Sequence, residues 1–391
     1  MSLSGPQYAL IEARYGTLQS ALDAATDPLL ANAHIFVQGS IRMKTTIKPA
    51  RGATGEMATV DADAVVWLPN AGTASAQDVL DAIEKRFSQA TRVDEPVKPL
   101  RRGIRIVYAD ETPGFHMDIT PARNAPGNTA VRGHGALLVP DRVSGWKESS
   151  PMPYSEWLET VGQLAIRLLD DDLTKRAAEF ADATQDPLPD YDDYRVPVPL
   201  RAAVKLLKRH RDEWAIRTGK IAQRPISAVI TTLAARAYED VVERSSAHPM
   251  RPVEAIMAIV AAMPLHVLQG QEGWIVPNPR DARENFTEKW NRPGGEGAGY
   301  KQAFDAWHAQ AKRDILLGLE DHATNDAFKE AFVERFGGRQ DLIEEVIQGL
   351  PHTWTLPGRA AGMSLNKVSL GLLTGAGNGA RSPEVPVRRL G

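Results

Sequence analysis

Two stretches, Phe36-Val-Gln-Gly-Ser40 and Asp61-Ala-Asp-Ala-Val-Val-Trp-Leu68, decide how this chain is read. The second opens on two carboxylates at a spacing of two and runs on into apolar residues. In an extended strand, residues i and i+2 point to one face, so Asp61 and Asp63 face the same way. Carboxylates that face together repel unless something positive lies between them. The usual solution is a hard divalent cation that carries phosphate oxygens. The first stretch is a short apolar run that stops at Gly39-Ser40, a small pair whose N–H groups and hydroxyl suit phosphate. A third carboxylate, Asp118, interrupts another strand-like run, Gly114-Phe-His-Met-Asp-Ile-Thr120. An Asp-x-Asp pair alone is also met as solvated acids at a strand edge. His116, on the face of Asp118, is the type of residue more often found as a hydrogen-bonded neighbour. Three acids on otherwise apolar strands, downstream of a Gly-Ser turn, favour a site for metal and phosphate.

Working outward, the apolar spacing of Tyr8, Leu10, Ile11, Tyr15, Leu18 and Leu22 predicts a helix over 7–30, ended by Asp27-Pro28. A strand follows over 34–37, then a loop over 49–55. After the strand 60–68, Ser75 caps a helix to Phe87 whose face carries Val79, Ile83 and Phe87. Residues 104–108 and 115–119 read as a hairpin turning through Asp110-Glu-Thr-Pro-Gly114. Residues 137–140 read as a short strand, 146–153 as irregular, and 154–170 as a helix. Asp186 to Pro199 is proline-rich and acidic and reads as a linker. Helices are expected at 200–216, 225–243, 252–268, 300–318 and 325–349. Strands followed by a long helical run predict an α+β domain and a separate helical one. The boundaries expected are a core over 1–185, a linker over 186–199, a helical domain over 200–368 and a flexible tail over 369–391.

The chain has 391 residues, enough for two to three domains, and no cysteine, which rules out disulfides, thiolate metal sites and a cysteine nucleophile. Its net charge of -3 excludes an overall basic field that would demand nucleic acid or an anionic membrane. The N-terminus lacks the basic and apolar regions of a signal peptide, and no apolar run is long enough for a membrane span. The expectation is a cytoplasmic protein. Gly294-Gly-Glu-Gly-Ala-Gly299 has the wrong spacing for a dinucleotide fingerprint and reads as a loop. Asn278-Pro279, Glu284 to Phe286 and Trp290 read as structural. Lys205, Lys208, Arg209 and Arg211 make a local basic cluster on the helix from 200, and the usual meaning of such a cluster is a solvated helix face.

Gly39-Ser40, Asp61-x-Asp63 and Asp118, in that order, resemble the nucleotidyltransferase superfamily that includes DNA polymerase β, oligoadenylate synthase and the cyclic GMP-AMP synthases. Four phrases narrow the resemblance to the bacterial cGAS/DncV-like nucleotidyltransferases of the CBASS anti-phage signalling systems. They are Val37-Gln-Gly-Ser-Ile-Arg-Met-Lys-Thr-Thr-Ile-Lys-Pro49, Phe115-His-Met-Asp-Ile-Thr-Pro-Ala122, Val198-Pro-Leu-Arg-Ala-Ala-Val-Lys-Leu-Leu-Lys-Arg-His-Arg-Asp212 and Ile275-Val-Pro-Asn-Pro-Arg-Asp-Ala-Arg-Glu-Asn-Phe286.

The resemblance implies a polymerase-β-like α+β core with a mixed sheet. It also implies an oligoadenylate-synthase-like helical domain and an active site in the cleft between the two. Two Mg2+ ions, or Mn2+, are then held by Asp61, Asp63 and Asp118, the catalytic residues. Gln38, Gly39, Ser40, Lys208 and Ser227 bind nucleotide, with Lys205 the rival lysine. The implied activity joins ribonucleoside triphosphates into a cyclic di- or trinucleotide messenger that acts on a downstream effector in anti-phage defence. A long-DNA activator is not expected. Open alternatives are a linear oligonucleotide or RNA-tailing activity, a protein-modifying nucleotidyltransferase, and a catalytically silent module that binds nucleic acid or a partner. The ending Arg388-Arg-Leu-Gly391, after the glycine-rich Gly371 to Ala380, reads as an ordinary flexible terminus. It also resembles ubiquitin-type tails that an E1/E2-like ligase joins through the terminal carboxylate, here that of Gly391.

Overall fold

The computed structural model describes residues 3–90, 93, 97–108, 114–167, 198–250, 252–315 and 325–337. The expected turn at 110–113, nearly all of the linker 186–199, the helix beyond 337, the tail 369–391 and Gly391 lie outside them. The described residues fall into two compact units. One gathers those within Met1–Gln163 together with Ile275–Glu288; the other gathers those within Leu164–Trp274 and from Lys289 onward.

The first unit is built on a mixed sheet. Its central strand β2 (Val60–Trp67) pairs antiparallel with β1 (His34–Gln38) and parallel with β5 (Phe115–Asn124). Beyond β5 lie β4 (Gly103–Tyr108) and then β3 (Val97–Leu100), both antiparallel to their neighbours. The far end of β5 pairs with β6 (Leu137–Asp141), which pairs with β7 (Gly145–Ser149). A parallel β2–β5 pair requires a crossover, and helix α3 (Ala76–Gln89) is part of it. A reciprocal cap starts α3: Ser75 Oγ accepts from Asp78 N at 3.1 Å and donates to the Asp78 carboxylate at 2.7 Å.

The alternation along β2 decides where the site lies. Val60, Ala62, Ala64 and Val66 enter the main core, with Ile11, Leu18 and Leu22 of helix α1 (Gly5–Asp23) and Val79, Ile83 and Phe87 of α3. On the opposite face Val65 and Trp67 join a smaller core with Phe36, Ala122, Leu137, Val139 and Met152, the last from helix α4 (Pro151–Gly162). Asp61 and Asp63 lie on this second face, before that apolar cover begins: Asp61 is exposed and Asp63 half-buried.

Several local expectations are corrected. α1 ends at Asp23, and Asp27 instead caps a short 3-10 turn by accepting from Leu29 N at 2.9 Å. Residues 145–149 form β7 rather than an irregular stretch, α4 begins at Pro151, and β3 was not expected. The helix expected over 154–170 ends at Gly162.

In the second unit helices α5 (Pro199–Thr218), α6 (Ser227–Ala247), α7 (Pro252–Ala262), α8 (Glu296–Asp314) and α9 (Asn325–Phe336) pack together. Gly219 ends α5 in the left-handed region, φ +69°. α8 starts inside the glycine-rich stretch expected to be a loop, after Gly294 and Gly295 have turned the chain. At the centre His210 sits between two partners. Trp307 Nε1 donates to its Nδ1 at 3.0 Å and its Nε2 faces Asp314 Oδ2 at 2.9 Å. Burial pushes the His210 imidazole below its usual range, against the pull of Asp314. Short strands β8 (Leu268–Gly270) and β9 (Gly273–Ile275) form a hairpin, whereas β10 (Pro277–Asn278), which pairs with β11 (Asp281–Asn285), belongs with it to the first unit.

Candidate active site

Register brings the acids together. In the β2–β5 pair Asp61 lies opposite His116, and Asp63 opposite Asp118. Gln38, the last residue of β1, lies opposite Asp63, and Arg105 of β4 lies opposite Asp118. Neighbours in register share a face, so one row across four strands reads Gln38, Asp63, Asp118, Arg105. The next row holds Asp61 and His116.

Asp61, His116 and Asp118 each offer a ligand atom within 4.8 Å of the others. Two carboxylates and a ring nitrogen, facing one another on an open sheet face, fit a divalent cation. Asp63 is not part of that set. Its carboxylate lies against the backbone of Gly39, where a Cβ would strike it. Gly39 has φ +64°, a conformation that only glycine adopts without strain. The β1 turn therefore approaches Asp63 as closely as a bare backbone allows.

Ser40 follows in a four-residue helical turn, α2 (Gly39–Arg42). Its side chain is buried; Oγ accepts from Thr46 Oγ1 at 3.0 Å, and its carbonyl accepts from Thr45 N at 2.8 Å. The segment 40–46 is thereby held as one folded turn beside Asp63.

Two residues that sequence reasoning did not assign shape the site. Arg105 grips Asp118 with two bonds, Nε to Oδ1 at 2.6 Å and Nη2 to Oδ2 at 2.8 Å, and a third arm reaches Glu56. The Asp118 bonds, ahead of an opposing burial cost, raise the Arg105 pKa, so it is permanently charged. Each Asp118 oxygen keeps a second lone pair, so Arg105 and a cation can share the carboxylate. His116, almost wholly buried, has Nε2 at 3.1 Å from Asp61 Oδ1 and Nδ1 at 2.7 Å from Thr59 Oγ1. Its position two residues before Asp118 signalled a shared face. Nothing in the sequence signalled Arg105, whose role depends on the β4–β5 register.

The other expected residues belong to the second unit. Lys208 on α5 is buried. Ser227, the first residue of α6, accepts from Arg211 Nη1 at 3.1 Å, and Arg211 also holds Asp212 and the Pro225 carbonyl. Lys205 is half-buried, and burial, then the charge of Arg201, lowers its ammonium to about 8. In the first unit Asn278 donates to Glu284 at 2.7 Å, and Glu284 accepts from Ser149 Oγ and Ser150 N. Tyr154 meets Phe286 edge-on. These residues tie β10–β11 to the end of β7 and have no place at the acids.

Residues 1–161 match the family described as the Second Messenger Oligonucleotide or Dinucleotide Synthetase domain. The chain is 26% identical over 342 residues to the cyclic dinucleotide synthase CdnG of Bradyrhizobium diazoefficiens, covering 83% of this chain and 74% of that protein. The solved structure of that CdnG in complex with GTP superposes with a TM-score of 0.60 at 19% identity, over 87% of this chain and 93% of that one. Escherichia coli DncV in its 3'-deoxy GTP bound form superposes with a TM-score of 0.50 at 14% identity, over 86% and 77%. The fold is that of these nucleotidyltransferases.

Proposed function

We propose that this chain, a nucleotidyltransferase of the cGAS/DncV-like family, joins ribonucleoside triphosphates into a cyclic di- or trinucleotide messenger at the face formed by Asp61, Asp63 and Asp118. One observation carries the reading: the three acids, from two adjacent strands, gather beside a glycine turn that only a bare backbone can make. Asp61, Asp63 and Asp118 would hold two divalent cations, Mg2+ or Mn2+. Such cations, when bound, neutralise the triphosphate and lower the pKa of an attacking sugar hydroxyl.

The rest falls to the chain itself. Gly39 and Ser40, with Gln38 beside them, hold the donor phosphates against Asp63. Arg105 keeps Asp118 in one orientation. Lys208 and Ser227 of the second unit are assigned to the donor triphosphate on the strength of the resemblance. The acceptor 2′- or 3′-hydroxyl attacks the α-phosphorus in line, pyrophosphate leaves, and a second transfer closes the ring. Positioning and charge neutralisation supply most of the rate.

The cellular role proposed is a cytoplasmic one in anti-phage signalling through an effector that reads the product. The domain plan proposed is a core over 1–185, a crossing over 186–199, a helical domain over 200–368 and a tail over 369–391. The tail is proposed to be joined through Gly391 to a target amine by an E1/E2-like ligase. Its test is adduct formation by intact and Gly391-deleted protein with such a ligase; equal adduct from both contradicts it.

For the reaction itself, the protein is incubated with all four ribonucleoside triphosphates and Mg2+ or Mn2+, and the product is treated with phosphatase. A cyclic product survives unchanged in mass. A product that loses terminal phosphates marks a linear oligonucleotide synthase using the same residues, and label retained on protein marks a protein-modifying one.

A further inference from the structure

The loop between β5 and β6, residues 125–136, is built more tightly than a plain connection requires. Two asparagines stitch it. Asn124 Nδ2 donates to the carbonyls of Asn128 and Ala130 at 3.0 and 2.8 Å, and its Oδ1 accepts from Trp67 Nε1 at 2.8 Å. Asn128 Nδ2 donates to the carbonyls of His134 and Ala136 at 2.8 and 2.7 Å, and its Oδ1 accepts from Ala130 N at 3.0 Å. The tip turns through Arg132, Gly133 and Gly135, with φ of +57°, +84° and +76°. Glycine adopts that region freely, whereas an arginine there is disfavoured. Backbone strain that surrounding bonds hold in place clusters at functional sites. Arg132 is exposed, and among the described residues it enters no ion pair.

Three contacts place this tip beside the glycine turn. Gly133 lies on the ring of Phe36, so closely that a Cβ would strike it. Phe36 shares the site face of β1 with Gln38, about 7 Å further along the strand, and Gln38 stands opposite Asp63. His134 Nδ1 is 3.9 Å from Glu156 Oε1 on α4. Ser155, the residue before Glu156, accepts from Arg42 Nε at 2.7 Å, and Arg42 closes the turn that Gly39-Ser40 begins. Neighbouring residues of α4 thus hold α2 on one side and the loop on the other.

We propose that Arg132 binds the terminal phosphate of the donor triphosphate, and that the stitched loop fixes the root of its side chain for that contact. The inference rests on the nucleotidyl-transfer reading of the same face. On that reading the reacting α-phosphorus sits at the acids and the donor phosphates run along Gly39-Ser40. The terminal phosphate then lies beyond them, on the side of α2, α4 and the loop. A guanidinium fork matches phosphate oxygens and makes charge-assisted bonds to them. Its effect is to favour a donor with three phosphates over one with two.

The left-handed backbone supplies the controls. Arg132→Gly and Arg132→Asn remove the cation and both accept that conformation, so both are expected to unfold cooperatively, like wild type. The test measures binding of inorganic tripolyphosphate and of pyrophosphate to the full chain with Mg2+, by calorimetry. Wild type is expected to bind tripolyphosphate the more tightly. Both variants are expected to lose that preference, with tripolyphosphate affinity down about 10- to 100-fold and pyrophosphate affinity little changed. Lys85→Ala, which removes an exposed cation from α3 on the opposite face of the sheet, is expected to change neither. Cooperatively folded variants that still prefer tripolyphosphate overturn the proposal, as does an equal fall for both ions. If the wild type nevertheless releases pyrophosphate from ribonucleoside triphosphates, the nucleotidyl-transfer reading stands and Arg132 alone is removed. A wild type that binds neither ion and releases no pyrophosphate removes both.

Discussion

Gly39 and Asp63 constrain each other: the glycine has φ +64°, and a Cβ on it would meet the Asp63 carboxylate. Gly39→Ala is therefore expected to cost about 1–2 kcal/mol for a left-handed residue and also to push Asp63 off the site. Product formation should fall at least about tenfold, while urea unfolding registers the smaller stability loss; full activity would contradict the close approach. At this scale the sequence was informative about the acids, because a spacing of two on an apolar strand has one geometric meaning. It was silent about Arg105, whose partner lies on the next strand. His116 was visible as a neighbour of Asp118, but its contacts with Thr59 and Asp61 arise only from the folded loop before β2 and from the β2–β5 register.

β2 shows why the element scale was mostly legible. Its even positions and its last odd ones are apolar for two different cores, and the two odd positions that are not apolar are the acids. β3 and β7 escaped notice because their inward residues are few: Val97-Lys-Pro-Leu100 and Gly145-Trp-Lys-Glu-Ser149 carry too little apolar alternation to stand out from loop. In the second unit, α6 is anchored by Tyr238, whose hydroxyl donates to the Leu164 carbonyl at 2.7 Å from a fully buried ring. Tyr238→Phe leaves that carbonyl unpaired and is expected to cost about 1–3 kcal/mol in urea unfolding; no loss would mean the bond contributes nothing.

α5 makes a pH-dependent prediction. Burial lowers Lys205 to about 8, below its ordinary 10.5. Between those values the unfolded chain holds a proton that the folded chain has released, so stability rises with pH across that window. Lys205→Met is expected to be more stable than wild type at pH 7 and to lose this part of the rise. A variant less stable at pH 7 would show that the ammonium is well paired in the fold.

At the scale of the whole molecule, a family-matched domain over 1–161 carries the acids and a helical unit follows in the chain. Among the described residues no helix is long and apolar enough to cross a membrane. With a net charge of -3, no broad basic field is available to grip a long duplex, so adding long DNA is expected to leave turnover unchanged; strong stimulation would require a local basic track. Everything proposed for the molecule rests on one claim, that the β2–β5 face transfers nucleotides. The most direct measurement is pyrophosphate release from the four ribonucleoside triphosphates by wild type and by the Asp61→Ala, Asp63→Ala double variant, with thermal unfolding run on both. The account predicts release by the wild type, loss of at least about a thousandfold in the variant, and a variant that still unfolds cooperatively. Unchanged release from a folded double variant would contradict it.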